Sequence, residues 1–411
     1  MKVLTRLLGK VISRGTLSIT YADGTVEKVG SADATWPDVA IRFTDDAAAR
    51  AIVTNPALGA GEGYMDGKLV VDQGSIWDLL MLVSGNAPLE SNKRLEEPGV
   101  VIRTAERLKH WHDNFNKRDR SKANVAHHYD LSDDLYDLFL DKDRQYSCAY
   151  FTDPETVSLE QAQIDKKAHI AAKLALAPGQ RVLDIGCGWG GMALYLNRVA
   201  DVDVLGVTLS EEQLKVARRR AQEAGVADRV KFELIDYRDV SGPFDRIVSV
   251  GMFEHVGARH YREFFRTCHN LLAADGVMLL HTIGRLDGPA STDGFTRKYI
   301  FPGGYAPALS EILEGSEPNK LLLTDCEVLR LHYYHTLRHW YGRVVDAKDK
   351  IVALYDERFY RMWSFYLAAS ASGFHFGSQT IYQLQYVRNR HTLPITRDYM
   401  AVAEAGYRAK G

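Results

Sequence analysis

Apolar and polar positions follow two different rhythms along this chain. In Leu17-Ser-Ile-Thr-Tyr21 and again in Asp38-Val-Ala-Ile-Arg-Phe43 they alternate, and Ala22-Asp-Gly24 follows the first run. Period-two alternation beside an Asp-Gly turn predicts short strands and a hairpin in a small mixed domain. Ahead of it, Leu4, Leu7, Leu8, Val11 and Ile12 recur at near-helical spacing among Lys2, Arg6, Lys10 and Arg14. A basic amphipathic helix of this kind either lies in a membrane interface or packs on its own domain, and the residues leave both open. Glycines accumulate in Leu58-Gly-Ala-Gly-Glu-Gly-Tyr-Met-Asp-Gly67 with no Lys-Ser/Thr after them. That pattern predicts a helix-packing segment and a turn, not a phosphate cradle.

From about Val125 onward the rhythm changes to short apolar runs separated by helical stretches. A helix is predicted over 158–176. Strands are predicted at 181–185, 203–208, 229–235, 245–250, 277–283, 327–333 and 378–387. Strands alternating with helices imply a doubly wound α/β sheet. Helices after Gly284 and from Thr336 to Ser370 are expected to cap the carboxyl edge of that sheet and enclose a substrate. Residues Arg103 to Lys122, rich in Arg, Lys, His and Asn, read as a surface helix and linker. They divide an amino-terminal domain of residues 1–115 from a larger domain of residues 116–411. The same cationic stretch would suit anionic phospholipid headgroups, each nearby Lys or Arg contributing about 1 kcal/mol.

The stretch with the most chemistry is Arg181-Val-Leu-Asp-Ile-Gly-Cys-Gly-Trp-Gly-Gly191, an apolar strand running into a glycine-rich turn. Alone, it fits a dinucleotide site, an S-adenosylmethionine (SAM) site or a tight turn. A dinucleotide fold wants an acidic residue at the end of the second strand to hold a ribose. Here Val204-Leu-Gly-Val-Thr-Leu-Ser210 ends in hydroxyls, with Gln213 beyond. Asp184, inside the strand, puts a carboxylate where a methionine ammonium would lie. SAM is the expected cofactor.

Bulk properties narrow the partners. With 411 residues, 46% hydrophobic and 25% charged, the chain has an ordinary globular composition and the length for two or three domains. A formal net charge of -2 gives no basic face for nucleic acid. Cys148, Cys187, Cys268 and Cys326 show neither zinc nor disulfide spacing, which fits a reducing compartment. No apolar run approaches the roughly 18 residues that span a bilayer. His332, His335 and His339 have a spacing that could suggest a metal, but the run begins at a predicted strand end, so one shared helix is not expected. No metal is expected.

Six motifs then occur in order: His128-Tyr-Asp-Leu-Ser-Asp-Asp-Leu-Tyr-Asp-Leu-Phe139, Tyr146-Ser-Cys-Ala-Tyr-Phe151, Val182-Leu-Asp-Ile-Gly-Cys-Gly-Trp-Gly190, Gly206-Val-Thr-Leu-Ser210, Met252-Phe-Glu-His-Val-Gly257 and Leu280-His-Thr-Ile283. Together they resemble the cyclopropane-fatty-acyl-phospholipid synthases and the related mycolic acid cyclopropane synthases. The resemblance covers residues 125 to 390, and the Gly-Glu-Gly-Tyr-Met-Asp-Gly stretch extends it into the amino-terminal domain, as in the phospholipid branch. It implies a class I SAM-dependent methyltransferase fold, Rossmann-like with a seven-stranded sheet, and a smaller amino-terminal α+β domain for lipid contact or dimerisation.

The same resemblance implies the site. Tyr146 and Ser147 would meet the cofactor carboxylate, Asp184, Gly186 and Gly188 the methionine, and Thr208, Leu209 and Gln213 the ribose. Asp236, Tyr237 and Arg238 would stand near adenine, where mycolic enzymes instead resemble one another in a Gly-Trp-Glu sequence. A bound bicarbonate would serve as base, cradled by Cys148, Glu254, His281, Ile283 and Tyr333. The implied reaction adds a methylene from SAM to cis double bonds of phospholipid acyl chains. A homodimer is expected, in the cytoplasm and peripherally associated with the inner face of the membrane. Rival readings are a related lipid methyltransferase leaving a methyl or methylene branch, a non-catalytic SAM- or lipid-binding protein, and a small-molecule N-methyltransferase.

Overall fold

Alternation in the first hundred residues becomes a four-stranded sheet. The computed structural model describes residues 2–91 and 131–411. Strand β1 (Gly15–Thr20) pairs antiparallel with β2 (Val26–Ser31) and parallel with β3 (Asp38–Phe43), which pairs antiparallel with β4 (Leu69–Gln73). The hairpin turn holds Gly24 at φ 81°, a left-handed conformation that glycine adopts without steric cost. Leu17, Ile19, Val39, Ile41 and Phe43 point one way and are buried, as period-two patterning requires.

The first helix, Val3–Val11, puts Leu4 and Val11 into this core, with Ile12 just beyond. Thr5 Oγ1 and Tyr21 OH lie 2.7 Å apart, and Lys2 Nζ donates to Asp23 at 2.8 Å. Of the two readings left open, packing on its own domain is what these contacts display. The glycine-rich stretch forms helix Pro56–Met65, as predicted. A Cβ at Gly59 would stand 2.5 Å from the Ala51 carbonyl carbon, and one at Gly61 would stand 2.2 Å from the Phe295 ring. These glycines exist to let neighbours approach.

The chain divides into two compact units. One contains the amino-terminal segment together with Ser291–Pro302 and Tyr334–Gln379, and the other holds the larger sheet. Helix Glu357–His375 packs on helices Pro56–Met65 and Ile76–Gly85. Arg361 Nε donates to Met65 O at 3.0 Å, and Lys298 Nζ donates to Glu62 at 2.6 Å. The two later segments, which the sequence reading placed with the second domain, thus pack with the first. The boundary expected at residue 115 and the basic stretch 103–122 lie outside the described residues.

The larger sheet comprises β5 (Arg181–Ile185), β6 (Asp203–Thr208), β7 (Val230–Leu234), β8 (Phe244–Val250), β9 (Leu272–Arg285), β10 (Leu322–Val328) and β11 (Gln379–Val387). Their order is β10-β11-β9-β8-β5-β6-β7. From β9 to β7 the pairs are parallel, and β10 runs antiparallel to β11. This is the expected seven-stranded α/β sheet. Helices Leu159–Lys173, Gly191–Ala200 and Glu211–Glu223 close one core around Val182, Val204 and Val230. Helices Tyr261–Leu271 and Leu309–Ser316 close the other around Leu183, Ile185 and Ile247.

One strand departs from expectation. The sheet ends at Val328, opposite Tyr382, and Arg330 takes φ 40°, turning the chain into helix His332–Asp346. Residues 329–333 are therefore turn and helix start, not strand. The physical reason is that a short apolar run looks alike in either conformation, and the turn is set by pairing with β11. His332, His335 and His339 consequently do share one helix, contrary to the sequence expectation. His332 Nδ1 accepts from the Phe151 N–H at 2.9 Å. Among the described residues no cluster of three metal-ligating side chains is found.

Candidate active site

Immediately after β5 the backbone turns, with Gly186, Gly188 and Gly190 at φ 82°, 53° and 82°. A Cβ at Gly186 would lie 2.7 Å from that of Met252, so both conformation and space require glycine. The N–H groups of Gly186 and Cys187 donate to Val207 O at 2.9 and 3.0 Å, fastening the turn to the end of β6. Chain order reverses at this point, β6 lying on one side of β5 and β8 on the other. A crevice at the carboxyl end follows from that topology.

The crevice encloses about 1280 Å³ of space, part of it open to solvent. All eleven residues expected at the cofactor line it: Tyr146, Ser147, Asp184, Gly186, Gly188, Thr208, Leu209, Gln213, Asp236, Tyr237 and Arg238. Asp184 is buried, and its Oδ2 has no hydrogen-bond partner. Burial pushes its carboxyl up to about 7, against the pull of the Lys166 charge. An unpaired buried carboxyl at a ligand cleft suits a cationic guest such as the ammonium of SAM. Thr208 Oγ1 donates to Gln213 Oε1 at 3.1 Å, which turns the amide N–H groups of Gln213 to other acceptors. Arg238 donates to Asp236 from Nε at 2.8 Å and Nη2 at 2.5 Å, so that pair forms one neutral wall beside the Tyr237 ring.

None of the five residues expected to cradle a base lines this crevice. Two junctions connect them: Cys148 follows Ser147, and Glu254 lies between Met252 and His255, all three flanking residues being lining residues. Glu254 Oε1 accepts from the Ile283 N–H at 2.6 Å, while Oε2 is buried without a partner. Burial raises this carboxyl to about 7. His281, opposite Val250 in the parallel pair, is 2% exposed, and its Nε2 is buried and partnerless. Burial, with the charges of Lys166 and Lys173, pushes its pKa well down, so the ring is neutral. The Cys148 thiol is buried and donates to Ala149 O at 3.2 Å. Tyr333 is buried in the first turn of helix His332–Asp346. Glu254 and Ile283 therefore meet directly, and His281 lies two residues before Ile283 on the same strand.

Sequence reasoning missed several side chains here. Lys166 is fully buried and donates to Gln145 Oε1 at 2.6 Å and Ser147 Oγ at 2.9 Å. Burial lowers its pKa to about 8. His255, also lining the crevice, is pushed down to about 4 by burial. Gln383 of β11 touches His281 Nδ1 at 3.1 Å. The available signal was the charge of Lys166, Lys167 and Lys173 within a helix otherwise rich in Ala and Ile.

Comparison with known proteins identifies the family. A family model described as mycolic acid cyclopropane synthetase matches residues 108–384, and one described only as a domain of unknown function matches residues 3–92. The cyclopropane-fatty-acyl-phospholipid synthase of Escherichia coli K12 is 37% identical over 385 residues, covering 93% of each chain. The tuberculostearic acid methyltransferase UfaA1 of Mycobacterium tuberculosis is 34% identical over 398 residues, 94% of this chain and 91% of that one. The crystal structure of mycolic acid cyclopropane synthase CmaA1 with SAH and CTAB superposes with a TM-score of 0.61 at 36% identity, covering 64% of this chain and 97% of CmaA1. The crevice after β5 and these likenesses lead to one conclusion: the chain belongs to the mycolic acid cyclopropane synthetase family and is a SAM-dependent methyltransferase.

Proposed function

We propose that this enzyme is a cyclopropane fatty acid synthase, adding a methylene from SAM to cis double bonds of phospholipid acyl chains with bicarbonate as the base. One observation carries the reading. Beside the cofactor crevice, two buried polar atoms lack partners, the acceptor Glu254 Oε2 and the ring nitrogen His281 Nε2. Buried polar groups are rarely left unsatisfied, and these two belong to residues linked through the Ile283 N–H and its strand, which supports the reading that a guest sits there. A small anion bearing one hydroxyl suits both once the Glu254 carboxyl is ionised, above about 7: it donates to Glu254 and accepts from His281. Cys148, Ile283 and Tyr333 complete the proposed cradle.

SAM held in the crevice supplies an electrophilic methyl group, and bicarbonate held in the cradle supplies a proton acceptor. The chain's own residues do the rest. Ser147 and Asp184 are proposed to hold the methionine end, and Gln213 the ribose. Attack by a double bond demands near-contact with the donor methyl and the exclusion of water, which would trap a carbocation. Glu254, His281 and Cys148 are all nearly inaccessible to solvent, which suits that demand. Their preorganised dipoles cost no rearrangement during reaction.

The name of the E. coli relative supports a phospholipid substrate. Among the described residues no helix is long and apolar enough to cross a membrane, so the proposed meeting with the inner membrane face is peripheral. Assembly as a homodimer belongs to the same proposal and rests on the family resemblance. Incubation of the purified protein with unsaturated phospholipid vesicles and labelled SAM tests the activity. The expected product is an acyl chain heavier by one methylene and lacking the double bond; no mass gain would sink the proposal. The likeness to a tuberculostearic acid methyltransferase favours a second reading, a methyl or methylene branch formed at the same site. Fragmentation of the product distinguishes a ring from a branch.

A further inference from the structure

Gln383 lies in β11, outside every motif that the family resemblance uses, and is completely buried. Its amide oxygen accepts from Lys173 Nζ at 2.8 Å, and its amide nitrogen lies 3.1 Å from His281 Nδ1. Lys173, itself 1% exposed, is an ammonium with donors only. The Gln383 oxygen must therefore face Lys173, and its NH₂ must face the imidazole. An amide NH₂ can only donate, so Nδ1 offers its lone pair. In a neutral imidazole the single proton then resides on Nε2, the nitrogen that is buried without a partner.

We propose that Gln383, aimed by Lys173, is a positioning residue that locks His281 in the Nε2–H tautomer, making it a hydrogen-bond donor to the anion and not a proton acceptor. The inference rests on the bicarbonate reading for the identity of that anion. The lock matters because the other tautomer would point a lone pair at an anion. Repulsion would replace attraction at the same distance. Lys173 is in turn anchored: it contacts Glu327, and Glu327 Oε2 lies 2.7 Å from His169 Nε2. His169 Nδ1 lies 2.9 Å from Glu404 in the carboxyl-terminal helix Asp398–Lys410. The orientation of the His281 ring is thus held by a partly buried chain of contacts extending to that helix.

Nitrogen-15 NMR of the full-length protein with labelled histidine reads the tautomer directly, the His281 signals being assigned by their loss in His281→Asn. A protonated Nε2 and a bare Nδ1 are expected in the wild-type protein; the reverse pattern overturns the proposal. In Gln383→Glu, an isosteric carboxylate accepts from both Lys173 and the ring, so the proton should move to Nδ1. Turnover should then fall on the order of 10- to 100-fold, as when a supporting hydrogen bond to an active-site ligand is lost, while SAM affinity stays as it was. Wild-type turnover in Gln383→Glu would contradict the proposal, and the wild-type spectrum decides the matter even if that variant does not fold. Bicarbonate dependence of carbonate-depleted enzyme is a separate measurement. Its absence would remove the bicarbonate reading and leave the tautomer standing.

Discussion

The backbone N–H of Ile283 donates to Glu254 Oε1 at 2.6 Å, and this bond leaves Oε2 buried with no partner. One oxygen of the carboxyl group is committed to the sheet, and the other is the one proposed to meet the anion. Glu254→Gln keeps the shape but replaces an acceptor by an NH₂ group that cannot receive a hydroxyl. Turnover should fall on the order of 100-fold or more, the usual cost of one preorganised contact, with SAM affinity intact. Single-turnover kinetics and equilibrium SAM binding check the two halves, and wild-type turnover would remove Glu254 from the cradle.

With Asp184 as the proposed partner of the SAM ammonium, cofactor binding should depend on pH. In the ligand-free protein its carboxyl holds a proton up to about 7. A neighbouring ammonium favours the ionised form, so binding of SAM beside Asp184 should expel that proton. Affinity should rise as pH increases to about 7 and level off above it. Calorimetry at acidic pH in two buffers of different ionisation heat detects the proton. Identical heats in both buffers would contradict the assignment, and Asp184→Asn should abolish the pH dependence.

Stability of the ligand-free protein should show the same groups with the opposite slope. Asp184 and Glu254 remain protonated up to about 7 when folded but ionise near 4 when unfolded. Between those values the folded state binds more protons, so stability falls as pH rises, by on the order of 3 kcal/mol per group. Denaturant titrations of wild type and Glu254→Gln across this window should diverge. Parallel curves would show that Glu254 titrates normally.

Glycines of one helix should separate by their neighbours. A Cβ at Gly61 would meet the buried Phe295 ring at 2.2 Å, whereas one at Gly63 would touch Leu69 Cβ at an ordinary 3.4 Å. Gly61→Ala should cost about 1 to 3 kcal/mol through overpacking. Gly63→Ala should be neutral or stabilising by about 0.5 to 1 kcal/mol, from lower backbone entropy. Thermal melts compare them, and equal effects would contradict the packing.

Lys166→Met removes the ammonium that donates to Ser147 Oγ and Gln145 Oε1. Hydrogen bonds to a charged group contribute about 1.5 to 3 kcal/mol, so SAM affinity should drop about tenfold or more as Ser147 loses its orientation. Unaltered affinity in a folded variant would show that Lys166 is structural only.

Much of this was legible from residue order. Strands 181–185 and 203–208 end where their apolar runs end, and the residue order around Asp184 points to the crevice. Motif-bearing residues far apart in the chain, from Tyr146 to Arg238, converge in one cleft. The expected strand 327–333 overruns to Tyr333 because Val328-Leu-Arg-Leu-His-Tyr carries no local mark of its turn. That turn follows from pairing with β11, more than fifty residues later. Lys166 and Lys173 were overlooked because a lysine on a helix reads as solvated unless its acceptors are known. Those acceptors, Ser147, Gln145, Glu327 and Gln383, come from other segments.

Local order therefore settles what depends on neighbours along the chain: the rhythm of strands and helices, the glycine turn, and the residue types capable of the chemistry. Three-dimensional packing settles which polar atoms lose water and which partners they then find. Burial shifts the protonation of Glu254 and His281, and the tautomer proposed for His281 comes from its contact with a glutamine a hundred residues away. Desolvation and hydrogen-bond direction arise only once distant segments share one interior.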